Sequence, residues 1–579
     1  MNRRRILYFI LVFASISLSA QTYYFGNDLS YANQMEDCGA VFKENFQEKD
    51  VYQIFAEHGT NLIRVRLWHT PSWQNSLEQP EGVKEQYSNY EDVHETIQRA
   101  KAHGMQVMLG FQFSDVWADP GRQVIPQAWL DVAYNTETLA DSVYNYVVKI
   151  LGDLHKDNLL PEFVKIGNET NPGMMIHETM DENLDPVGTI SSDWDRHAQL
   201  YNAAIQAVRD FSDTTAIKPL ITLHAADPDV VSWWYNNIIN HGVTDFDIMG
   251  MSYYYAWHEG SISWLGTKIS QLKNAHPDYE VMVVETGYLW SQRNFDAMPN
   301  IITTPDPDYL PVSPQKQLEY MIDLQREIIN SGGIGAIFWE PAWVSTPCRT
   351  PWGQGSSHDH VVYFDPYYTN FMTNGGGRWM ESQFYENTAS PKVTFIVNMG
   401  EEDISNGVYL KGSWSDEYYS MFNLEENKYQ FTVYELNEGD SVGYYFLRDS
   451  INIREILPTE CALWESSDRT LVVGPDDITV EMYWESCNTN PPVNQLSIFE
   501  NKFQIYPNPA TDYIRIEFPS GAGYKLFKIL DLNGRIMIEG NIQNSKSYAV
   551  IDISSLTMGV YCLQIVGIGK VFHKKILIL

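Results

Sequence analysis

Between residues 22 and 389, apolar runs alternate with helical patterns, and the runs number eight: "YYFGNDLSY", "NLIRVRLW", "MQVMLGFQF", "EFVKIGNE", "KPLITLHA", "FDIMGMSYY", "EVMVVETGY" and "GIGAIFWE". Segments such as "YEDVHETIQRAKAHG" and "SPQKQLEYMIDLQREIINSGG" separate them, with apolar residues at helical spacing. Gly59, Gly104, Gly242 and Gly332 stand where a helix closes in a left-handed turn before the next strand. Strands that are apolar throughout belong in a parallel sheet covered on both faces. Eight such units predict an α/β chain closed into a (β/α)8 barrel. The alternative, an open doubly wound sheet, calls for a Gly-rich phosphate turn after an early strand, and none is present.

In a closed barrel the C-terminal strand ends line the active face. The runs here stop on polar and aromatic residues: Asp28; Arg64, Arg66 and Trp68; Gln112, Ser114 and Asp115; Asn168 and Glu169; His224; Tyr253 and Tyr254; Glu285; Trp339 and Glu340. Glu169 and Glu285 close the fourth and seventh strands, which face each other across such a mouth. Two carboxyl groups ~5–5.5 Å apart are what retaining glycoside hydrolysis requires, one protonated and one ionised. An arginine such as Arg66 is expected to hold Glu285 as a carboxylate, and Asn168 to bond a sugar 2-hydroxyl.

The formal charge of −35 repels phosphate backbones and excludes nucleic acid as a partner. "MNRRRILYFILVFASISLSAQT" reads as a signal peptide: three arginines, an apolar stretch too short to span a bilayer, and small residues before Gln21. No later run is long enough for a transmembrane helix. The five cysteines are an odd number in an exported chain. Cys461 and Cys487, in one short β-rich segment, are the favoured disulfide, and Cys38–Cys348 is the second option. From residue 390 the texture changes to short, partly alternating strands. The division expected is a signal peptide (1–20), the barrel (21–389), a β-sandwich (390–488), a Pro-containing linker (489–496) and a small all-β tail (497–579).

Residues 22–389 resemble the arabinogalactan endo-β-1,4-galactanases of glycoside hydrolase family 53. The resemblance is carried by "GNDLSYANQMEDCG", "FSDVWADPGRQVIPQAW", "VKIGNETN", "DIMGMSYYYAWH", "VVETGY" and "FWEPAW". It implies Glu169 as acid/base, Glu285 as nucleophile, and retaining endo-cleavage of plant galactan or type I arabinogalactan. Asp28, Arg66, Gln112, Asp115, Trp117, Asn168, His224, Tyr253, Trp339 and Trp343 are the expected substrate-binding residues, Trp68 and Trp117 reading equally as packing. The family's third strand ends Asp-Phe-His-Tyr-Ser-Asp. This chain has "GFQFSD", so Gln112 replaces a group that can carry a proton. Two alternatives follow: a related endo-glycanase acting on another β-1,4-linked glycan such as mannan, or an inactive galactan-binding surface protein. Some relatives bind calcium in loops near the last strands. Here the loop lacks the family's alternating acidic run and reads as solvated and Pro-rich; Asp306 and Asp308 could hold calcium, and otherwise no cofactor is expected.

The segment 390–488 is similar to immunoglobulin-like or carbohydrate-binding modules, with Trp414, Trp464 and Trp484 as either ring platforms or core. The tail resembles a type IX secretion sorting domain through "IYPNPATDYIRIEF", "KILDLNGRIM" and "DISSLTMGVYCLQI". That resemblance implies the secretion machinery as a partner, and release or anchoring at the cell surface.

Overall fold

Eight parallel strands close on themselves where β1 (Tyr24–Asp28) pairs with both β2 (Leu62–Leu67) and β8 (Gly335–Phe338). Between them run β3 (Gln106–Phe111), β4 (Phe163–Ile166), β5 (Leu220–Ala225), β6 (Ile248–Tyr253) and β7 (Glu280–Thr286), each bonded to the next. The (β/α)8 barrel expected from the alternation is the fold. The computed structural model describes residues 22–179, 193–350, 352–400, 402–425, 427–457, 468–486, 504–517, 524–531, 535–542, 548–567 and 571–578. The signal peptide, the 489–496 linker, Cys461, Trp464 and Cys487 lie outside them.

Crossover helices α1 (Val51–Glu57), α2 (Tyr90–Ala102), α3 (Thr136–Lys156), α4 (Trp194–Ser212), α5 (Pro228–Asn240), α6 (Ile262–Ala275) and α7 (Pro314–Asn330) surround the sheet. Local chemistry sets their limits. Asn89 caps α2 by accepting from Asp92 N–H, Val93, Ile97 and Ala100 form its buried face, and Gly104 follows at φ +77°. Ser313 caps α7, Pro314 fills its first turn, and Gly332 follows at φ +90°.

The bore is solid. Leu62, Met108, Phe163, Ile248, Met282, Val284, Ile334 and Ile337 pack into one cluster inside the ring. Polar side chains therefore find room only above it, at the C-terminal strand ends. One irregularity matters there. Met251 pairs with Val283 but Ser252 pairs with Glu285, and Ala336 pairs with Val283 but Phe338 with Thr286. Strand β7 thus carries one extra residue against both neighbours, a bulge just before Glu285.

Cys38 and Cys348 form a disulfide, tying the loop after β1 to the loop after β8 across 310 residues. This is the pairing the sequence ranked second. Cys562 is free.

Beyond the barrel, Val393–Asn398 pairs antiparallel with Lys428–Val433 and parallel with Ile478–Tyr483, within an array of eight strands. It folds over a core of Val393, Phe395, Val408, Leu410, Tyr444 and Phe446. Trp484 belongs to this core and Trp414 stacks on Phe395, so both are packing residues of the module. The module is fastened to α7: Lys392 Nζ lies 2.8 Å from Asp323, Thr432 Oγ1 donates to Glu319 at 2.8 Å, and Arg326 donates to the carbonyls of Asn387, Thr388 and Ser390. In the tail, strands Tyr524–Leu530 and Ile536–Asn541 pair antiparallel. Among the described residues no helix is long and apolar enough to cross a membrane.

Candidate active site

A cleft of about 760 Å³ opens at the C-terminal strand ends, and Glu169 and Glu285 both line it. Strand β4 ends at Ile166, and the chain then turns through Gly167 (φ +75°) and Glu169 (φ +49°). A Cβ on Gly167 would sit 2.4 Å from Thr170 Cγ2, so this turn needs glycine. The left-handed backbone at Glu169 throws its side chain back over the barrel mouth, and such conformations concentrate at functional sites. The bulge in β7 does the same for Glu285. Met282 and Val284 both face the bore, so plain alternation would send residue 285 outward; the extra residue re-aims it inward. A carboxylate oxygen of each glutamate and a ring nitrogen of His224 all lie within 4.8 Å of one another.

The two carboxyl groups have different surroundings. Glu285 receives Arg64 Nη1 at 2.8 Å and the Tyr254 hydroxyl at 3.0 Å, a setting built for an anion. Arg64 is itself fixed by Asp28, its neighbour on β1, and by a 2.8 Å bond to the Val284 carbonyl. Asp28 stays below the usual carboxylate range although burial opposes it, because Arg64 and Arg66 stand beside it and Ser30 donates to it. Among the described residues, the Glu169 carboxyl receives the Ser252 hydroxyl and no cation. Burial first, then the nearby Glu285 charge, push its carboxyl well above the ordinary value. One acid is thus set up to hold a proton and the other to lack one.

This arrangement corrects part of the sequence reading. Arg64, and not Arg66, meets Glu285; Arg66 reaches Glu340 and lies 4.3 Å over the Tyr31 ring. Tyr254, and not Tyr253, lines the cleft, since the Tyr253 hydroxyl bonds the Gly260 carbonyl on the helix side. Asp115 does not line it either, because its carboxylate accepts from Thr70 N–H and Gln127 N–H and staples two loops. His224 is fully buried beneath the glutamates. Both its ring nitrogens are engaged, with Lys165 and Ser252, and the Glu285 oxygens with Arg64 and Tyr254, so these groups already have protein partners. Trp68 is core, its indole donating to Gln112 Oε1 at 2.7 Å. Gln112 also accepts from Ala118 N–H, so it anchors the loop bearing Trp117. Asn168 uses one amide proton on the Ala118 carbonyl and keeps the other. Asp306 caps the turn at Pro307–Tyr309 by accepting from Asp308 N–H at 3.0 Å.

Aromatic rings flank the cleft. Trp117 stacks on Trp352 at 4.7 Å, Tyr254 packs on Trp257 at 4.3 Å, and Trp339 and Trp343 both line the wall. Trp257 and Trp352 are half exposed, while Trp343 is buried against Tyr31 and His358. Lys165, Ser252, Trp257 and Trp352 escaped the sequence reading, and Arg64 and Tyr254, named there at their strand ends, were given no role. Counting alternate residues from the bore-facing Leu62, Phe163 and Ile248 identifies Arg64, Lys165, Ser252 and Tyr254; Trp257 and Trp352 carry no comparable signal.

A family model described as "Glycosyl hydrolase family 53" matches residues 24–374. One described as "Secretion system C-terminal sorting domain" matches residues 504–579. The chain is 40% identical over 346 residues to an arabinogalactan endo-beta-1,4-galactanase of Cellvibrio japonicus, covering 59% of this chain and 86% of that one. It is 26% identical over 382 residues to an endo-beta-1,4-galactanase of Bacillus subtilis, covering 63% and 81%. Among solved structures, the Ignisphaera aggregans GH53 catalytic domain superposes with a TM-score of 0.53 at 27% identity, covering 62% of this chain and 95% of that one.

Proposed function

The chain belongs to glycosyl hydrolase family 53, and from that premise we propose that it cuts β-1,4-galactosidic bonds within galactan or type I arabinogalactan, with retention at the anomeric carbon. The observation that carries this reading is the pair of glutamates whose carboxylate oxygens approach within 4.8 Å in opposite electrostatic settings. That separation belongs to a direct attack on the sugar; an inverting pair stands ~6.5–9.5 Å apart to admit a water.

In the first step Glu285, held by Arg64 and Tyr254, attacks the anomeric carbon. Glu169 gives its proton to the departing glycosidic oxygen, and a galactosyl ester forms on Glu285. In the second step Glu169, now a carboxylate, takes a proton from water, which attacks the same carbon and frees Glu285. Asn168 has an amide proton left for the sugar 2-hydroxyl, a contact that strengthens as the ring flattens. The open, ring-lined cleft suits internal sites along a polymer, whose apolar sugar faces lie on Trp257, Trp339 and Trp352. The sorting domain sends the enzyme to the cell surface or beyond, where polysaccharide is met.

Purified protein is to be assayed on pectic galactan, mannan and xylan, with Glu285→Ala as control. Shortening of galactan alone, with β-configured products by proton NMR, is expected. Shortening of mannan alone favours a related glycanase, and tight galactan binding with no turnover favours a surface binder.

A further inference from the structure

Beneath Glu169 lies a second set of polar groups for which the two-glutamate reaction has no role. Lys165, on β4, is almost fully buried. Its ammonium donates to the Gly167 carbonyl at 3.0 Å and to Asn168 Oδ1 at 2.6 Å, and lies 3.3 Å from His224 Nδ1. The neighbouring strand makes room for it. Gly110 is Lys165's register partner on β3, and a Cβ there would stand 3.2 Å from Cε and 3.8 Å from Nζ. His224 Nε2 in turn meets Ser252 Oγ at 2.8 Å, and Ser252 donates to Glu169 Oε1.

The direction of this chain is determined at one end. A lysine ammonium has three protons and accepts nothing. While Lys165 keeps its charge, His224 Nδ1 must therefore be the lone-pair nitrogen. One further contact agrees: Glu169 N–H points at Nδ1 at 3.4 Å. Asn168 Oδ1 stands 3.2 Å from the same nitrogen, and the ammonium donates to that oxygen at 2.6 Å. With Nδ1 bare, Nε2 carries the ring proton and donates it to Ser252 Oγ, leaving the serine proton free to point only at Glu169. Oε1 thereby becomes an acceptor. The proton that Glu169 transfers must then sit on Oε2.

We propose that Lys165 is a positioning residue: through His224 and Ser252 it dictates which oxygen of Glu169 bears the transferable proton. The proposal rests on the galactanase reading above, since only an acid that must protonate a leaving group needs its proton on one oxygen. The opposite tautomer, with Nδ1–H toward Asn168, would turn the Ser252 hydroxyl toward Nε2 and let Oε1 hold the proton, facing away from the cut bond. The charged groups around the ammonium are Asp28 on β1, Arg64 on β2, Glu169 after β4, His224 on β5 and Glu285 on β7. Burial and then Arg64 draw Lys165 down to about 7, while the carboxylates oppose them. Around neutrality the anchor of the chain begins to lose its third proton.

The test compares leaving groups in the full-length enzyme. Lys165→Met removes the donor while filling its space. On galactan, whose sugar leaving group needs protonation, kcat/KM is expected to fall ~10–100-fold, part of the 10²–10⁴ general acid catalysis supplies. On 2,4-dinitrophenyl β-1,4-galactobioside, whose leaving group needs no proton, the formation of the galactosyl ester is expected to stay within about threefold. Ser252→Ala cuts the same chain nearer its end and is expected to give the same split, which keeps the proposal testable if the lysine variant fails to fold. Nitrogen NMR of ¹⁵N-histidine-labelled wild-type protein is expected to show His224 protonated on Nε2. Equal losses on both substrates, or His224 protonated on Nδ1, overturns the proposal. A wild-type enzyme inert toward both galactosides would defeat the galactanase reading instead, and the histidine spectrum would still judge the tautomer.

Discussion

Glu169, Gly167 and Glu340 all sit at positive φ at the strand ends, and only one of them is a glycine. Backbone in this region costs on the order of 1–3 kcal/mol for a non-glycine residue. It is tolerated where tertiary bonds over-determine it, as those of Glu340 to Arg66 and Tyr31 do. Gly167→Ala adds a Cβ at 2.4 Å from Thr170 and is predicted to lower the melting temperature and activity together, read by calorimetry and assay on one sample. The raised proton affinity of Glu169 predicts two pH effects. Its proton is retained above the ordinary carboxylate range, so the basic limb of kcat/KM lies higher than a surface glutamate would give, and Glu169→Gln abolishes it. The unfolded chain releases that proton earlier than the folded one. This group's contribution to stability is therefore complete at low pH and is lost as pH rises between the ordinary and the raised value; urea titrations across that window should show a flatter profile for Glu169→Gln.

The strands explain why parts of the site were legible in the sequence and others were not. The eightfold alternation, the glycines after helices and the acids ending β4 and β7 are local patterns, and each reports a backbone requirement directly. Choosing Arg66 over Arg64 was a matter of height in the bore. Both point inward, but Arg64 lies opposite Asp28 and at the depth of Glu285, while Arg66 is two residues higher and meets Glu340. Tyr253 and Tyr254 differ in parity: the first faces Trp264 on the helix layer and the second faces the bore. The β7 bulge leaves no local signature, because it is defined by neighbours distant in the chain. Lys165 is a lone charge in the apolar run of β4, and its place follows from Gly110, its register partner on the neighbouring strand. Gly110→Ala is accordingly predicted to displace the lysine and to reproduce the Lys165→Met leaving-group split more weakly, measured with the same two galactosides.

At the scale of the molecule, the barrel is closed twice, by hydrogen bonds between β1 and β8 and by the Cys38–Cys348 bond between their loops. The disulfide encloses 310 residues, so the loss of its constraint on the unfolded chain is predicted to cost about 2–5 kcal/mol. Cys38→Ser with Cys348→Ser should show this as a lower urea midpoint with a steeper slope, because the released unfolded chain exposes more surface. The appended module contributes its own core and is joined to the barrel through α7, where Arg326 satisfies the carbonyls of Asn387, Thr388 and Ser390. Arg326→Ala is predicted to uncouple the two, seen as two calorimetric transitions where the parent shows one. None of these changes touches the cleft, and galactan turnover at low temperature should be preserved.

Retaining cleavage depends on Glu285 forming a covalent bond with the sugar while Glu169 manages the proton. Incubation with a 2-deoxy-2-fluoro β-1,4-galactobioside bearing a dinitrophenyl leaving group slows both steps and lets the ester accumulate. Peptide mass spectrometry should then find the fluorinated disaccharide on Glu285 and on no other residue. An adduct on a different carboxylate, or turnover of galactan to α-configured products with no adduct at all, would contradict it.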